Sequence, residues 1–333
     1  MILKGMETDA DQDGEPLSLP MVSETLDLIP TFWMENQSLK LYTFCLQQAF
    51  HSKLHQNNCK QLSDSMLNAI SNPEKLKNLA VRLGNAWLQC SQIPTPGLDE
   101  IPISRSEAYF VQDQMAKVIG DSVSGWKVGA TSAKMRELDG HDDVIPGRIF
   151  ESVTFLGAKQ DLPISRFMDA RAETEFAFRL LEDIPLRETP WNAQELKEKV
   201  MFHPAVELIG NRHQLPEGSK SQKSLMTIAD NGGGIGFVFG EEIQDWQSVD
   251  FQHHLIDLRV DDQPSADNFL GEMRCIPIEA LADLINHLGE RGISLNAGNF
   301  ISTGAATVPQ PFSVGSKVSA DFGVLGRIEL QFS

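Results

Sequence analysis

The sequence predicts an α+β fold dominated by β structure, and three observations lead there. Two strong helical patterns open the ordered part of the chain, and short β-prone runs broken by Gly, Pro and Asp fill most of the remainder. Strand and helix do not alternate regularly enough for a doubly wound parallel sheet, and no internal repeat is present. At 333 residues the chain is long enough to bury a large core. Its 41% hydrophobic and 22% charged residues exclude the fibrous, low-complexity and wholly disordered classes.

Each element has its own signal along the chain. Residues 1–60 carry eight acidic and four basic side chains and one apolar patch around Leu28, Ile29, Phe32, Trp33 and Met34, and the first twenty are expected to be disordered. Asn72 is a good N-cap and Pro73 suits a first helical turn; Leu76, Leu79, Leu83, Trp87 and Cys90 then recur at the spacing of one helical face. After a Pro-rich break from Ile93 to Pro102, Ser104 and Glu107 have the spacing of a capping box, opening a helix with the stripe Ala108, Val111, Met115 and Val118. Strands are expected at Trp126–Ala130, Ile149–Leu156, Ala172–Leu181, Ala205–Ile209, Gly236–Phe239 and His254–Val260. One further helix starts near Pro277, with Leu281, Leu284, Ile285 and Leu288 on one face, and ends at Gly289 to Gly292. Val318, Ala320 and Phe322, then Ile328, Leu330 and Phe332, alternate with period two and close the chain as strand, loop, strand.

Charge and composition narrow the function. Twenty-eight Lys and Arg against 46 Asp and Glu give a net −18, which repels phosphate backbones and anionic lipid, so nucleic acid is not an expected partner. No apolar run approaches the roughly 18 to 20 residues of a membrane span, and the acidic N-terminus is unlike a signal peptide. Cys45, Cys59, Cys90 and Cys275 form no CxxC pair and are too sparse for a disulfide framework, which suits a reducing compartment and a cytoplasmic protein.

The chemistry concentrates in a few segments. In Arg171-Ala-Glu-Thr-Glu-Phe-Ala-Phe178, Glu173 and Glu175 share one face of a strand, with Phe176 and Phe178 on the other. Two adjacent carboxylates repel unless a cation or a shared proton intervenes, and a hard divalent ion such as Mg²⁺ or Mn²⁺ is one resolution; an exposed acidic strand face is the other. Glu207, among Val206, Leu208 and Ile209, is either a third ligand or an edge-strand glutamate facing solvent. Lys127, in Gly125-Trp-Lys-Val-Gly-Ala-Thr131, either snorkels to the surface or moves a proton near a bound substrate. Asn231-Gly-Gly-Gly-Ile-Gly236 fits neither G-x-G-x-x-G nor a P-loop, and His203, His253 and His254 form no H-E-x-x-H site, so they are read as structural.

Five segments in order resemble the hydratase and decarboxylase branch of the fumarylacetoacetate hydrolase superfamily: Gly125–Thr131, Glu173-Thr-Glu175, Pro204-Ala-Val-Glu-Leu-Ile-Gly-Asn-Arg212, Ala229-Asp-Asn231 and Ala297-Gly-Asn-Phe-Ile-Ser-Thr-Gly304. The resemblance runs from about Asn72 to the C-terminus and implies a mixed, rolled β-sheet with peripheral helices. It implies metal ligands at Glu173, Glu175 and Glu207, a catalytic lysine at Lys127 opening a lid over 127–150, and substrate contacts at Arg212, Asp230, Asn231, Thr303 and Gly304, the last two in a loop. Two segments depart from the family pattern. Ile145 and Pro146 stand where a lid aspartate is expected before Gly147, leaving Asp142 or Asp143 as substitutes, and Asp230-Asn231-Gly232-Gly233 replaces Asp-Asn-Ala-Ser. Residues 1–65 lie outside the resemblance, as an accessory segment or an upstream extension of the gene model, and 66–333 form the catalytic domain.

What the resemblance implies is Mg²⁺- or Mn²⁺-dependent addition of water to a 2-hydroxy-2,4-dienoate in aromatic catabolism, giving a 4-hydroxy-2-oxo acid, by a homo-oligomer whose partner is a small 2-oxo acid. Such an ion would stabilise charge developing on the substrate's oxygens, and Lys127 would offset the surplus carboxylate charge while moving a proton. The alternatives are decarboxylation of a 2-oxo-3-enedioate of the 4-oxalocrotonate type, C–C hydrolysis of an acylpyruvate, for which His141 is the nearby candidate base, and a catalytically silent metal-binding homologue.

Overall fold

The computed structural model describes residues 70–333, apart from 168 and 215–217. The expected leader, residues 1–65, lies outside the described residues. Two helices come first, α1 (Pro73–Leu88) and α2 (Arg105–Ile119). Asn72 caps α1 by accepting from Lys75 N–H, and Pro73 stands in the first turn, as the sequence predicts. Leu76, Leu79, Leu83 and Trp87 are buried on one face. Ser104 caps α2 by accepting from Glu107 N–H, but the reciprocal half of the expected capping box is replaced. The Glu107 carboxylate accepts from Ile103 N–H and from both N–H and hydroxyl of Ser71, tying the start of α2 to the segment before α1.

The body is a mixed eight-stranded sheet in the order β2 (Ile145–Phe150), β1 (Val123–Gly129), β9 (Phe300–Ala305), β5 (Arg171–Leu180), β6 (Val200–Ile209), β7 (Gly234–Phe239), β3 (Thr154–Leu156), with β10 (Gln310–Pro311) pairing β5. β1 runs parallel to β9 and β3 to β7, while β1–β2, β5–β9, β5–β6 and β6–β7 are antiparallel. A second sheet of four strands has the order β4 (Lys159–Leu162), β12 (Arg327–Phe332), β11 (Lys317–Asp321), β8 (Asp257–Val260). This is the α+β class and the mixed sheet that the sequence predicts. On one face of β5 and β6, Phe176, Phe178 and Phe202 meet Trp246, Phe251 and Phe322, with ring centroids 4.8 Å apart for Phe176–Phe251 and 5.1 Å for Phe178–Trp246. That aromatic layer fixes the sheet and leaves the opposite face of the same strands for polar chemistry.

Several elements differ from expectation. Residues 149–156 are not one strand, because a 3-10 turn at Glu151–Val153 separates β2 from β3. β6 begins five residues earlier than Ala205, since Pro204 sits inside a central strand, where its missing N–H normally argues against one. Its carbonyl accepts from Gly240 N–H and its ring lies opposite Phe176. Three helices have no counterpart in the sequence reading: α3 (Ala133–Asp139), the single turn α4 (Ala193–Leu196) and α5 (Lys220–Ala229). α5 does carry a signal, a full capping box between Ser219 and Gln222 ahead of buried Leu225, Met226, Ile228 and Ala229. The helix expected near Pro277 is α6 (Pro277–Glu290). Among the described residues no helix is long and apolar enough to cross a membrane.

Candidate metal centre and its lysine

The site is a patch of cross-strand neighbours on the sheet face opposite the aromatic layer. In the β5–β6 register Glu173 stands directly across from Glu207, and Glu175 across from Ala205. On the next strands Lys127 of β1 lies across from Ser302 of β9 and Gly147 of β2, and Ser302 lies across from Ala177 of β5. Around the polar patch the same face carries Ile149, Phe237, Phe239 and Phe300, which with Ala177 and Ala205 form an apolar cluster separate from the main core. A floor of this kind raises the cost of any unbalanced charge above it.

Glu173, Glu175 and Glu207 are all buried, and one carboxylate oxygen from each lies within 4.8 Å of the other two. Neither oxygen of Glu207, a fully buried residue, has a hydrogen-bond partner. Glu175 is held in place: one oxygen accepts from the Ser302 hydroxyl and from Gly304 N–H. Lys127 is 6% exposed, so it does not snorkel. Its ammonium donates to the Gly232 carbonyl at 3.0 Å and stands 3.5 Å from Glu207 Oε1.

Three carboxylates against one ammonium leave this buried patch short of positive charge, and the titration behaviour reflects it. Burial, then Glu175, pushes Glu173 up to about 8, with Lys127 opposing. Burial likewise raises Glu207 well above the usual carboxylate range, Lys127 only partly offsetting it. Burial alone would pull Lys127 down, but Glu207, Glu175 and Glu173 outweigh it and hold the amine above its ordinary value. Three converging buried carboxylates, with both Glu207 oxygens lacking a hydrogen-bond partner, are what a hard divalent cation would satisfy, so the residues present fit such an ion.

The turn after α5 supports the lysine. Asn231 commits both ends of its amide to the Arg148 backbone, accepting from N–H at 2.7 Å and donating to the carbonyl at 2.8 Å, which pins β2 beside the site. Gly232 comes next at φ 74°, and a Cβ there would come within 3.1 Å of Lys127 Cδ. A Cβ on Gly147 would fall 2.2 Å from the Asn231 carbonyl, so the close approach of β2 to this turn requires glycine.

The residues expected to contact substrate make the following contacts within the protein. The Asp230 carboxylate, buried, accepts from Arg212 N–H at 2.6 Å and pairs with His213 Nδ1 at 3.0 Å. The Thr303 hydroxyl donates to the Phe176 carbonyl, and Gly304 N–H is given to Glu175; both lie in strand β9, not in a loop. The Arg212 guanidinium stacks over Trp87 on α1, 5.4 Å from the ring centroid, in a separate cavity. Asp142 and Asp143 are exposed, and Asp143 faces Arg105 and His287 on the outer helices. His141 rests its Nδ1 2.6 Å from the Ser224 hydroxyl, and burial lowers it below the ordinary histidine value. His203 places its Nδ1 2.8 Å from the Gly240 carbonyl, a structural role as read from sequence. Sequence reasoning missed Ser302 and the Gly232 carbonyl; the first lies in a strand without alternating burial, and a backbone acceptor leaves no residue-type signal.

Fold and site define a class: a rolled mixed sheet presenting a buried three-carboxylate centre beside a buried lysine. No family model matches the chain. It is 29% identical over 269 residues to a 2-oxo-hept-4-ene-1,7-dioate hydratase of Escherichia coli, spanning 76% of this chain and 96% of that protein. It is 24% identical over 273 residues to a 4-oxalocrotonate decarboxylase of Pseudomonas putida, spanning 80% of this chain and all of that protein. Among solved structures, 4-oxalocrotonate decarboxylase from Pseudomonas putida G7, complexed with magnesium and adipate, superposes with a TM-score of 0.69 at 21% identity over 79% of this chain and 98% of that one, a likeness of fold. By sequence the chain is similar to these hydratases and decarboxylases, and by fold to the decarboxylase.

Proposed function

We propose that this chain is a divalent-metal-dependent hydro-lyase that adds water to a 2-hydroxy-2,4-dienoate of the 2-keto-4-pentenoate type. The observation that carries the reading is the cluster of Glu173, Glu175 and Glu207 with Lys127 on one buried sheet face. The three glutamates would hold Mg²⁺ or Mn²⁺, as the metal-bound decarboxylase of similar fold suggests. When bound, the ion would supply Lewis-acid stabilisation of negative charge on the carboxylate and 2-oxo oxygens of the substrate. Ser302 and Gly304 N–H orient Glu175, and Gly232 orients the Lys127 amine.

Lys127 moves the protons. The 2-hydroxyl proton is lost as the far terminus, C5, is protonated, giving an α,β-unsaturated 2-oxo acid; water then adds at C4 while a proton goes to C3. The product is a 4-hydroxy-2-oxo acid, one water heavier. The apolar floor of Ile149, Phe237, Phe239 and Phe300 limits stray water around these charged species. Following the family resemblance, the proposal extends to a homo-oligomer working in the breakdown of aromatic compounds.

A second reading, decarboxylation of a 2-oxo-3-enedioate, is favoured by the likeness to the Pseudomonas decarboxylases. One experiment separates the two: the metal-loaded protein is incubated with 2-hydroxypenta-2,4-dienoate and, separately, with 2-oxohex-3-enedioate, and products are identified by mass spectrometry. The hydratase reading expects 4-hydroxy-2-oxopentanoate from the first and no CO₂ from the second. CO₂ release with an inert dienoate would overturn it in favour of the decarboxylase.

A further inference from the structure

We infer that a second, smaller site binds an oxyanion, a carboxylate or phosphate group, against Arg212. It stands independently of the hydratase reading, because none of the three glutamates lines it. The site is a cavity of about 110 Å³ between α1, the turn after β2 and the end of β6, lined among others by Trp87, Cys90, Ser152, Arg166, Arg212 and Ile235.

Arg212 is 2% exposed. Its Nη2 donates to the Gly210 carbonyl at 2.8 Å, its Nε has no hydrogen-bond partner, and no carboxylate among the described residues lies within salt-bridge distance of its guanidinium. The nearest buried acid, Asp230, is turned to the Arg212 backbone N–H and to His213. A guanidinium taken out of water this completely and given neither a carboxylate nor a full set of acceptors is costly, and a small anion in the adjoining cavity removes that cost by charge-assisted hydrogen bonds. Arg166, in a 3-10 turn, and Ser152 line the same cavity. Asp121, an acid near enough to Arg166 to feel its charge, accepts from Ser122 N–H and Ser152 N–H. The indole of Trp87 closes one side without offering an acceptor. The volume admits one planar or tetrahedral oxyanion, not a large ligand.

The test uses Cys90, which is partly exposed and lines the cavity, as a local reporter. The full chain, freed of metal with a chelator, is alkylated with neutral iodoacetamide in chloride, phosphate or acetate at matched ionic strength, and modification of the Cys90 peptide is followed by mass spectrometry. Occupancy should slow alkylation of Cys90 saturably, at millimolar anion, by tenfold or more. Arg166→Gln, at a partly exposed residue, should raise the concentration needed for protection about tenfold, the loss of one charge-assisted hydrogen bond. Arg212→Lys should abolish protection, with circular dichroism confirming its fold. Protection by phosphate alone assigns a phosphate group, by acetate alone a carboxylate, and by both a general oxyanion site. No protection by either anion, or protection that survives both substitutions unchanged, would overturn the inference.

Discussion

A lysine normally reaches for water, and Lys127 is kept from it by three carboxylates that need it more. Its ammonium is buried, hydrogen-bonded to the Gly232 carbonyl and faced by Glu207. Replacing it with Met keeps the length and removes the proton. Lys127→Met should bind a divalent ion at least as tightly as wild type while kcat falls by about 10² to 10⁴, the usual range for a positioned acid or base. Calorimetric metal titration beside steady-state kinetics checks both, and a variant that loses metal binding together with its fold would make the lysine structural. Glu175→Gln keeps shape but removes one ligand charge, so metal affinity and metal-dependent turnover should both collapse with little change in far-ultraviolet circular dichroism. At Gly232 a methyl group meets both a positive φ and the Lys127 stem. Gly232→Ala should cost about 1 kcal/mol or more in stability from the backbone alone. It should also lower kcat more than it raises KM, because the displaced group is the lysine and not a substrate contact.

At the scale of elements, the helices and strands with one-sided burial are legible in the sequence and those whose cues lie in caps or irregularities are not. α1 and α6 announce themselves through periodic Leu and a first-turn proline. β9 does not, because Ser302 and Gly304 are poor strand formers that serve chemistry and hydrogen bonding. α2 offers a pH test. Burial alone would raise the Glu107 carboxyl, but hydrogen bonds from Ile103 N–H and from Ser71 hold it below the usual carboxylate range. A carboxyl depressed in the folded state contributes stability that is fully present above its unfolded value and is lost as pH falls through the folded one. Glu107→Gln should therefore be destabilised by about 1 to 2 kcal/mol near neutral pH. The gap to wild type should close progressively below about pH 4.5, near the ordinary glutamate value. Urea unfolding of both proteins at several pH values measures this, and a gap that stays constant with pH would mean that the carboxylate charge is irrelevant there.

At the scale of the whole molecule, the sheet brings five sequence segments into one patch, and register decides which residues meet. Strand alternation and an apolar setting single out the three glutamates and Lys127 in the sequence but leave their roles open, and only the family resemblance joins them into one site. The protein contacts of Arg212, Asp230, Asn231 and Thr303 cannot be named from sequence, because a polar side chain turned toward substrate and one tied to a neighbouring backbone look alike in a linear chain. The patch also sets a linkage between metal and pH. Burial pushes Glu173 up to about 8 and raises Glu207 well above the ordinary range, so the metal-free centre favours keeping its protons. A carboxyl raised in the folded state favours folding only below its unfolded value, and that contribution fades as pH climbs through the folded one. Metal-free protein should thus lose thermal stability between about pH 5 and pH 8, a divalent ion should restore it, and binding at pH 7 should release protons. Calorimetry in two buffers of different ionisation enthalpy reads the proton count; equal heats would mean that the glutamates are already ionised.

The most direct measurement is the ultraviolet absorbance of freshly generated 2-hydroxypenta-2,4-dienoate mixed with the metal-free protein, followed by addition of Mg²⁺ or Mn²⁺, in wild type and Glu175→Gln. The account predicts no catalysed decay before the ion is added, rapid decay after it in wild type, and none in the variant. Decay at full rate without metal, or in Glu175→Gln with it, would contradict the claim that the three glutamates form a metal centre for this reaction.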